Sequence, residues 1–222
     1  MASARSTDPR GTYPAGHVTK NGLFLVLDGP DGGGKTTQVR RLVARIEGAG
    51  RPTLAVRDPG GTRLGERIRA VLLDPATGDV DATTEVLLYQ AARRRLVLEK
   101  IRPALDAGTV VVSDRWHYAT QAYQGGGGGA DAAAIRLTTK LATDGLEPRR
   151  AILLDVSETA ARPRLDRPLD RIETRGPEYR QRVRTAFREL FSRDPDRFVR
   201  VDADRAEDEV AEAVWDAVRP LL

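Results

Sequence analysis

The sequence predicts a three-layer α/β fold, a five-stranded parallel sheet with helices on both faces, and three observations carry that prediction. Five short apolar runs rich in Val, Leu and Ile recur along the chain, at residues 23–27, 53–56, 109–112, 151–155 and 198–201. Helical patterns fill the stretches between them, and alternating strand and helix with nearly all-apolar strands implies a parallel sheet covered on both sides. Directly after the first run, Gly29-Pro30-Asp31-Gly32-Gly33-Gly34-Lys35-Thr36 matches G-x-x-x-x-G-K-[ST] in full.

The first strand, 23–27, leads into that loop. The stretch 37–46 after it, with Val39, Leu42, Val43 and Ile46 on one face, reads as a helix. A loop joining a strand end to a helix start gathers unpaired N–H groups and the positive end of the helix dipole at one spot, which is an anion site. Gly29, Gly32, Gly33 and Gly34 let the backbone take positive φ and approach phosphate oxygens without a Cβ in the way. Lys35 is placed to neutralise β- and γ-phosphate charge and the Thr36 hydroxyl to ligate Mg²⁺, with Pro30, Asp31 and Thr37 completing an ATP-binding stretch.

In parallel sheets ligands bind outside the carboxyl ends of the strands, so the residues after each strand come next. The second strand is followed by Arg57-Asp58-Pro59-Gly60-Gly61-Thr62, too rich in Pro and Gly to be regular. Ahead of the third strand, Tyr89 and Arg93 stand four apart on a helix and share a face, so a stacking ring and a charge can reach one ligand, or the tyrosine can simply join the core beside Val86 to Leu88. The third strand is followed by Ser113-Asp114-Arg115. Asp114 suits a second Mg²⁺ support, or the N-cap of the next helix. Arg115 suits a phosphate, or a surface ion pair. Thr120 and Gln124 are again four apart, placing a hydroxyl and an amide on one side, and the amide suits a pyrimidine edge.

Beyond the fourth strand lies an arginine-rich stretch at about 160–176 with Arg162, Arg164, Arg167 and Arg171, which Pro163 and Pro168 keep from forming one regular helix. The fifth strand closes the sheet.

Composition bounds the rest. A chain of 222 residues with 40% apolar content supports one packed domain, expected over 21–222. Residues 1–20 lack the apolar core of a signal peptide, are rich in Ser, Thr, Pro, Gly and Arg, and are expected to be a disordered extension. There is no cysteine, hence neither a disulfide framework nor a thiolate metal site. No apolar stretch approaches the roughly 20 residues that span a bilayer. The pI near 9.7 invites nucleic acid as a partner, but the net charge is only +4 and the basic residues are spread along the chain, so no nucleic-acid and no membrane partner is expected. Lys20, Lys35, Lys100 and Lys140 are the only lysines, which sets Lys35 apart in an arginine-rich chain. Of the two histidines, His17 falls in the N-terminal extension and His117 lies near the third-strand loop.

The order of the phosphate loop, Arg57 to Thr62, Leu87-Leu88-Tyr89-Gln90-Ala91-Ala92-Arg93, Asp114-Arg115 with Thr120-Gln121-Ala122-Tyr123-Gln124-Gly125, and Leu169-Asp170-Arg171-Ile172-Glu173 resembles bacterial thymidylate kinase, from about residue 23 to the C-terminus. The resemblance implies the P-loop NTPase fold, transfer of a phosphoryl group from ATP to dTMP with Mg²⁺, a cytoplasmic setting, and a homodimer formed through the long helices carrying Leu87 to Leu105. It implies that Asp31 helps place the acceptor sugar, that Tyr89 stacks on thymine, and that Arg93 reaches the base edge. Arg69 and Arg115 match the positions that hold the acceptor 5′-phosphate. Thr120, Tyr123 and Gln124 match the segment that reads the base and closes under the sugar. With Gly32 and Gly33 where one branch of the family has an arginine, the catalytic arginine is expected from the lid, at Arg167, with Arg171 held by Glu173 or on the acceptor side. The catalytic set is then Lys35, Asp31, Asp114, Arg115 and Arg167.

Three departures concern the acceptor. Asp58 stands for the usual glutamate, Ala119 for serine, and Trp116 for a smaller aromatic or histidine, while the lid is shorter by about two residues. These motivate a related kinase acting on another or modified pyrimidine nucleotide. A nucleotide-dependent regulatory module without turnover is the reading from a different class.

Overall fold

A computed structural model describes residues 22–165 and 168–222. The expected N-terminal extension at 1–20 and Arg167 therefore lie outside the described residues. The sheet has five strands, β1 (Leu23–Asp28), β2 (Thr53–Arg57), β3 (Val110–Asp114), β4 (Arg150–Asp155) and β5 (Phe198–Asp202), in the order β2-β3-β1-β4-β5 with every pairing parallel. All five sequence runs become strands. The third begins one residue later and ends two later than expected, so Asp114 is the last strand residue and not part of a loop.

Side-chain alternation on β1 divides the core in two. Leu23, Leu25 and Leu27 point to one face, packing with Leu42, Ile46 and Val214 from α1 (Lys35–Gly48) and α9 (Glu207–Val218). Phe24 and Val26 point to the other, among Leu96, Ile101, Trp116 and Phe187. That second layer comprises α2 (Arg63–Leu73), α3 (Ala82–Leu96), α4 (Arg102–Asp106), α5 (His117–Thr120), α6 (Ala132–Thr143) and α8 (Pro177–Phe191), with the short α7 (Glu158–Ala161) opening the lid. A π-helical turn at Val97–Ile101 joins α3 to α4, and another at Gln121–Gly127 extends α5.

The glycine run after Gln124 is a packing surface. A Cβ at Gly126 would strike Ala186, and one at Gly127 would come within 2.6 Å of Tyr179 and 2.8 Å of Val183, so α8 lies against bare backbone. Tyr179 Oη also donates to the Tyr123 carbonyl at 3.0 Å, and Arg182 Nη2 to the Gly127 carbonyl at 2.9 Å.

Candidate active site

The phosphate loop sits at the sheet's carboxyl edge because β1 ends at Asp28 and α1 begins at Lys35. Lys35 is buried, and its Nζ donates to the Pro30 carbonyl at 2.7 Å, closing the loop upon itself. Burial, aided by the charge of Arg115, lowers its pKa to about 8. Gly32 stands at φ 77° with a Cβ position 2.7 Å from the Ala161 carbonyl oxygen and 2.8 Å from its Cβ, so the lid's first helix rests on this glycine.

Thr36 Oγ1 donates to Asp114 Oδ2 at 2.6 Å, pairing a hydroxyl at the start of α1 with a carboxylate at the end of β3. The N-cap of α5 is Trp116, which excludes the helix-capping alternative for Asp114. Among the described residues no cluster of three or more His, Cys, Asp or Glu side chains could hold a metal. A hydroxyl and one carboxylate are the small, hard oxygen set that suits Mg²⁺, which keeps waters and takes phosphate oxygens for its remaining positions.

Asp28 organises the junction between the loop and β3. Fully buried, it accepts from the backbone N–H of Gly29 at 2.9 Å, of Trp116 at 3.1 Å and of Ala119 at 3.2 Å. Burial raises its pKa to about 6. The intervening Arg115 takes φ 71°, a left-handed conformation unusual for a side chain of its size, and this turns its guanidinium back over the loop. There Arg115 Nη1 donates to the Gly29 carbonyl at 2.8 Å and Nη2 contacts Asp31, with Tyr123 under the guanidinium 5.2 Å from ring centroid. Tyr123 Oη donates to Asp31 Oδ2 at 2.6 Å. Arg115 is thus ion-paired with Asp31 inside the site, its side chain 17% exposed.

Two cavities meet at this cluster. One, of about 650 Å³, is lined by Gly32 to Gln38, Asp114, Arg164 and Arg205. The other is lined by Asp58, Tyr89, Arg93, Thr120, Tyr123 and Gln124, with Trp116 and Ala119 behind. Asp31, Arg69 and Arg115 line both. All eight residues assigned to the acceptor from the sequence therefore border one cavity.

Within it, Arg93 is 1% exposed, and its guanidinium is fixed by Asp58 Oδ2 at 2.5 Å, Gln90 Oε1 at 2.7 Å and Thr120 Oγ1 at 2.9 Å. Asp58, the shorter carboxylate, serves this buried pair, leaving its Oδ1 without a hydrogen-bond partner among the described residues. Burial raises the pKa of the Asp58 carboxyl, with Arg93 opposing. Tyr89 is half-buried at the cavity wall, so its ring is available to a ligand and not absorbed into the core. Arg69 Nη1 donates to the Pro59 carbonyl at 3.2 Å.

The lid arginines separate. Arg164 lines the larger cavity while Nη1 donates to the Ala203 carbonyl at 2.7 Å. Arg162 lines a neighbouring hollow of about 430 Å³ between lid and α8. Arg171, expected to be held by Glu173 or to lie on the acceptor side, donates through Nε to the Leu72 carbonyl and forms an ion pair with Glu85 Oε1 at 2.7 Å, its Nη2 not aligned for a hydrogen bond. His117 touches neither cavity. Its Nε2 faces Glu147 at 3.2 Å and its Nδ1 the Gln121 amide at 3.0 Å, and burial lowers its pKa.

Sequence reasoning missed Asp28 and Glu85. The first hides inside an apolar strand pattern. The second had a signal: Glu85, Tyr89 and Arg93 recur at intervals of four on α3 and so form one stripe.

Comparison with known proteins agrees with this geometry. The family model described as Thymidylate kinase matches residues 27–214. The chain is 43% identical over 199 residues to Thymidylate kinase of Deinococcus radiodurans, covering 89% of this chain and 96% of that protein. It is 43% identical over 204 residues to Thymidylate kinase of Desulforudis audaxviator, covering 91% and 92%. With Thymidylate kinase of Bifidobacterium longum the identity is 42% over 201 residues, covering 89% and 96%.

Proposed function

The chain belongs to the thymidylate kinase family, and on that premise we propose that it transfers the γ-phosphoryl group of ATP to dTMP, giving dTDP and ADP. One observation carries the reading beyond family membership. The cavity at the phosphate loop and the cavity at Tyr89 and Arg93 share Asp31, Arg69 and Arg115 as a common wall, the arrangement a direct transfer between two nucleotides needs.

An oxygen of the dTMP 5′-phosphate attacks the γ-phosphorus as the bond to the β–γ bridging oxygen breaks and ADP leaves with its electron pair. The attacking oxygen is already an anion, so no general base is required, and protein groups act by position and charge. Lys35 and the loop N–H groups hold the β- and γ-phosphates. Arg115 and Arg69 exchange their present carbonyl partners for the acceptor phosphate, and Asp31 with Tyr123 orients the sugar. Tyr89 stacks on the base while Arg93, locked by Asp58 and Gln90, donates to its edge. The arginine contact to the transferring group is assigned to Arg167, which lies outside the described residues. Thr36 and Asp114 would hold Mg²⁺, which screens phosphate charge when bound.

Leu64, Val71, Leu87, Leu137 and Leu141, each more than 45% exposed on the adjacent helices α2, α3 and α6, support a homodimer through this face. None of the described helices is long and apolar enough to cross a membrane, which is compatible with action in the cytoplasm. Steady-state ADP release with dTMP, dUMP and dCMP tests the activity. dTMP is expected to be preferred and Lys35→Ala to abolish turnover. A more than tenfold preference for another nucleotide, about 1.4 kcal/mol, or ADP release that is equally negligible in wild type and Lys35→Ala, overturns it.

A further inference from the structure

Glu85 has no part in the chemistry above, yet its carboxylate is wholly buried and sits behind the acceptor cavity. Two hydrogen-bond donors and one further guanidinium surround it. Arg175 Nη2 donates to Oε1 at 2.6 Å, Arg171 Nη2 lies 2.7 Å from the same oxygen, and Gln124 Nε2 donates to Oε2 at 3.0 Å. Gln124, itself 1% exposed, lines the cavity.

A carboxylate flanked by two guanidiniums only accepts hydrogen bonds. Turning the Gln124 amide over would set its oxygen against Glu85 Oε2, two acceptors 3.0 Å apart in a buried place. The amide orientation is therefore dictated by Glu85. With Nε2 engaged behind the wall, Oε1 is the atom offered to the cavity, and it receives no hydrogen bond among the described residues.

We propose that Glu85 is a specificity-determining positioning residue: by fixing Gln124 as an acceptor, it selects pyrimidines whose ring N3 carries a hydrogen over those whose N3 is a bare lone pair. This rests on the acceptor assignment above and adds the device that enforces it. A thymine- or uracil-type ring donates N3–H to Gln124 Oε1. A cytosine-type ring meets that oxygen with its own lone pair, and Gln124 cannot turn to suit it while Glu85 holds its nitrogen. A site built to hydrogen-bond one partner discriminates strongly because the wrong partner leaves buried polar groups unpaired.

The test is the ratio of kcat/KM for dTMP to kcat/KM for dCMP. Glu85→Gln can donate or accept, freeing Gln124 to turn, and the ratio is expected to fall at least tenfold, with KM for dTMP rising while KM for ATP holds within twofold. Glu85→Asp keeps the charge for the two long arginines but withdraws the carboxylate by a methylene from Gln124, so it reads the same effect should the first variant fail to fold. Arg175→Met is the structural control. It loosens the same cluster but leaves the carboxylate facing the amide, and the ratio should stay at its wild-type value. A ratio retained in Glu85→Gln or Glu85→Asp, or lost equally in Arg175→Met, overturns the inference. A wild-type enzyme with no preference for dTMP over dCMP would instead sink the acceptor assignment beneath it.

Discussion

Replacing Asp28 by asparagine should separate stability from activity, with a pH signature that follows from burial. Asp28 is fully buried at the end of β1, and burial lifts its pKa from an ordinary 3.8 to about 6 against the pull of Arg115. A carboxyl whose folded value exceeds its unfolded value binds its proton more tightly in the native state. Its contribution to stability is then fully present below about pH 4 and lost as pH rises through about 6. Between pH 4.5 and 7.5 that linkage amounts to about 2 kcal/mol. Asparagine does not titrate, so wild type should lose about 2 kcal/mol relative to Asp28→Asn across this range, roughly 4–8 °C in Tm for a chain of this length. A second effect shifts the absolute difference. The carboxylate accepts three backbone N–H groups, from Gly29, Trp116 and Ala119, whereas an amide offers one oxygen and turns an NH₂ toward the remaining donors. Measured against the ionised carboxylate, that mismatch costs the variant about 1–3 kcal/mol, so the slope, not the absolute difference, is diagnostic. Because Trp116 N is the anchor directly after the left-handed Arg115, kcat/KM should fall by about tenfold or more even where the variant equals wild type in stability. Urea unfolding at the two pH values, with kinetics on the same samples, decides it. A wild-type-minus-variant difference that stays flat with pH would refute the burial argument, and unchanged kcat/KM would refute the anchoring argument.

Three further outcomes are expected. Lys35 in the free enzyme should lose its proton above about pH 8, so kcat/KM for ATP falls above that pH. kcat stays flat to higher pH because bound phosphates restore the charge, and a pH profile of both constants checks this. Gly32→Ala should lower kcat about tenfold or more with little change in dTMP affinity, since its methyl group meets Ala161 and φ is 77°; turnover beside calorimetric dTMP titration reads it. Leu87→Glu with Leu141→Glu should convert a dimer to a monomer in light scattering, because both leucines are exposed, at 56% and 75%, on the proposed face.

How far the sequence could be read follows from what each residue depends upon. The strands declared themselves because both faces of a parallel sheet are covered, so Leu23 to Leu27 need no polar alternation and stand out as a run. The phosphate loop was legible because its requirements are local in the chain. Tyr89 with Arg93, and Thr120 with Gln124, could be paired because a helix brings residues four apart onto one face. Asp28 and Glu85 escaped because their partners are distant in sequence, Trp116 in one case and Gln124, Arg171 and Arg175 in the other. A buried carboxylate is defined by the donors that converge on it, and convergence is tertiary. Of the two places offered for Arg171, Glu173 was suggested by nearness in sequence, whereas the partner it takes is Glu85, near only in space.

The contact between α8 and the bare backbone of Gly126 and Gly127 redraws the border of the acceptor pocket. A helix that presses on the glycines just beyond Gln124 and grips the Tyr123 carbonyl through Tyr179 belongs, mechanically, to the pocket it never lines with most of its length. Anyone redesigning base selectivity by exchanging only the residues that face the ligand would leave half of the mould in place. Ala186 and Val183 set how far the Gln121–Gly127 turn can retreat, one layer behind the wall that Tyr123 and Gln124 form.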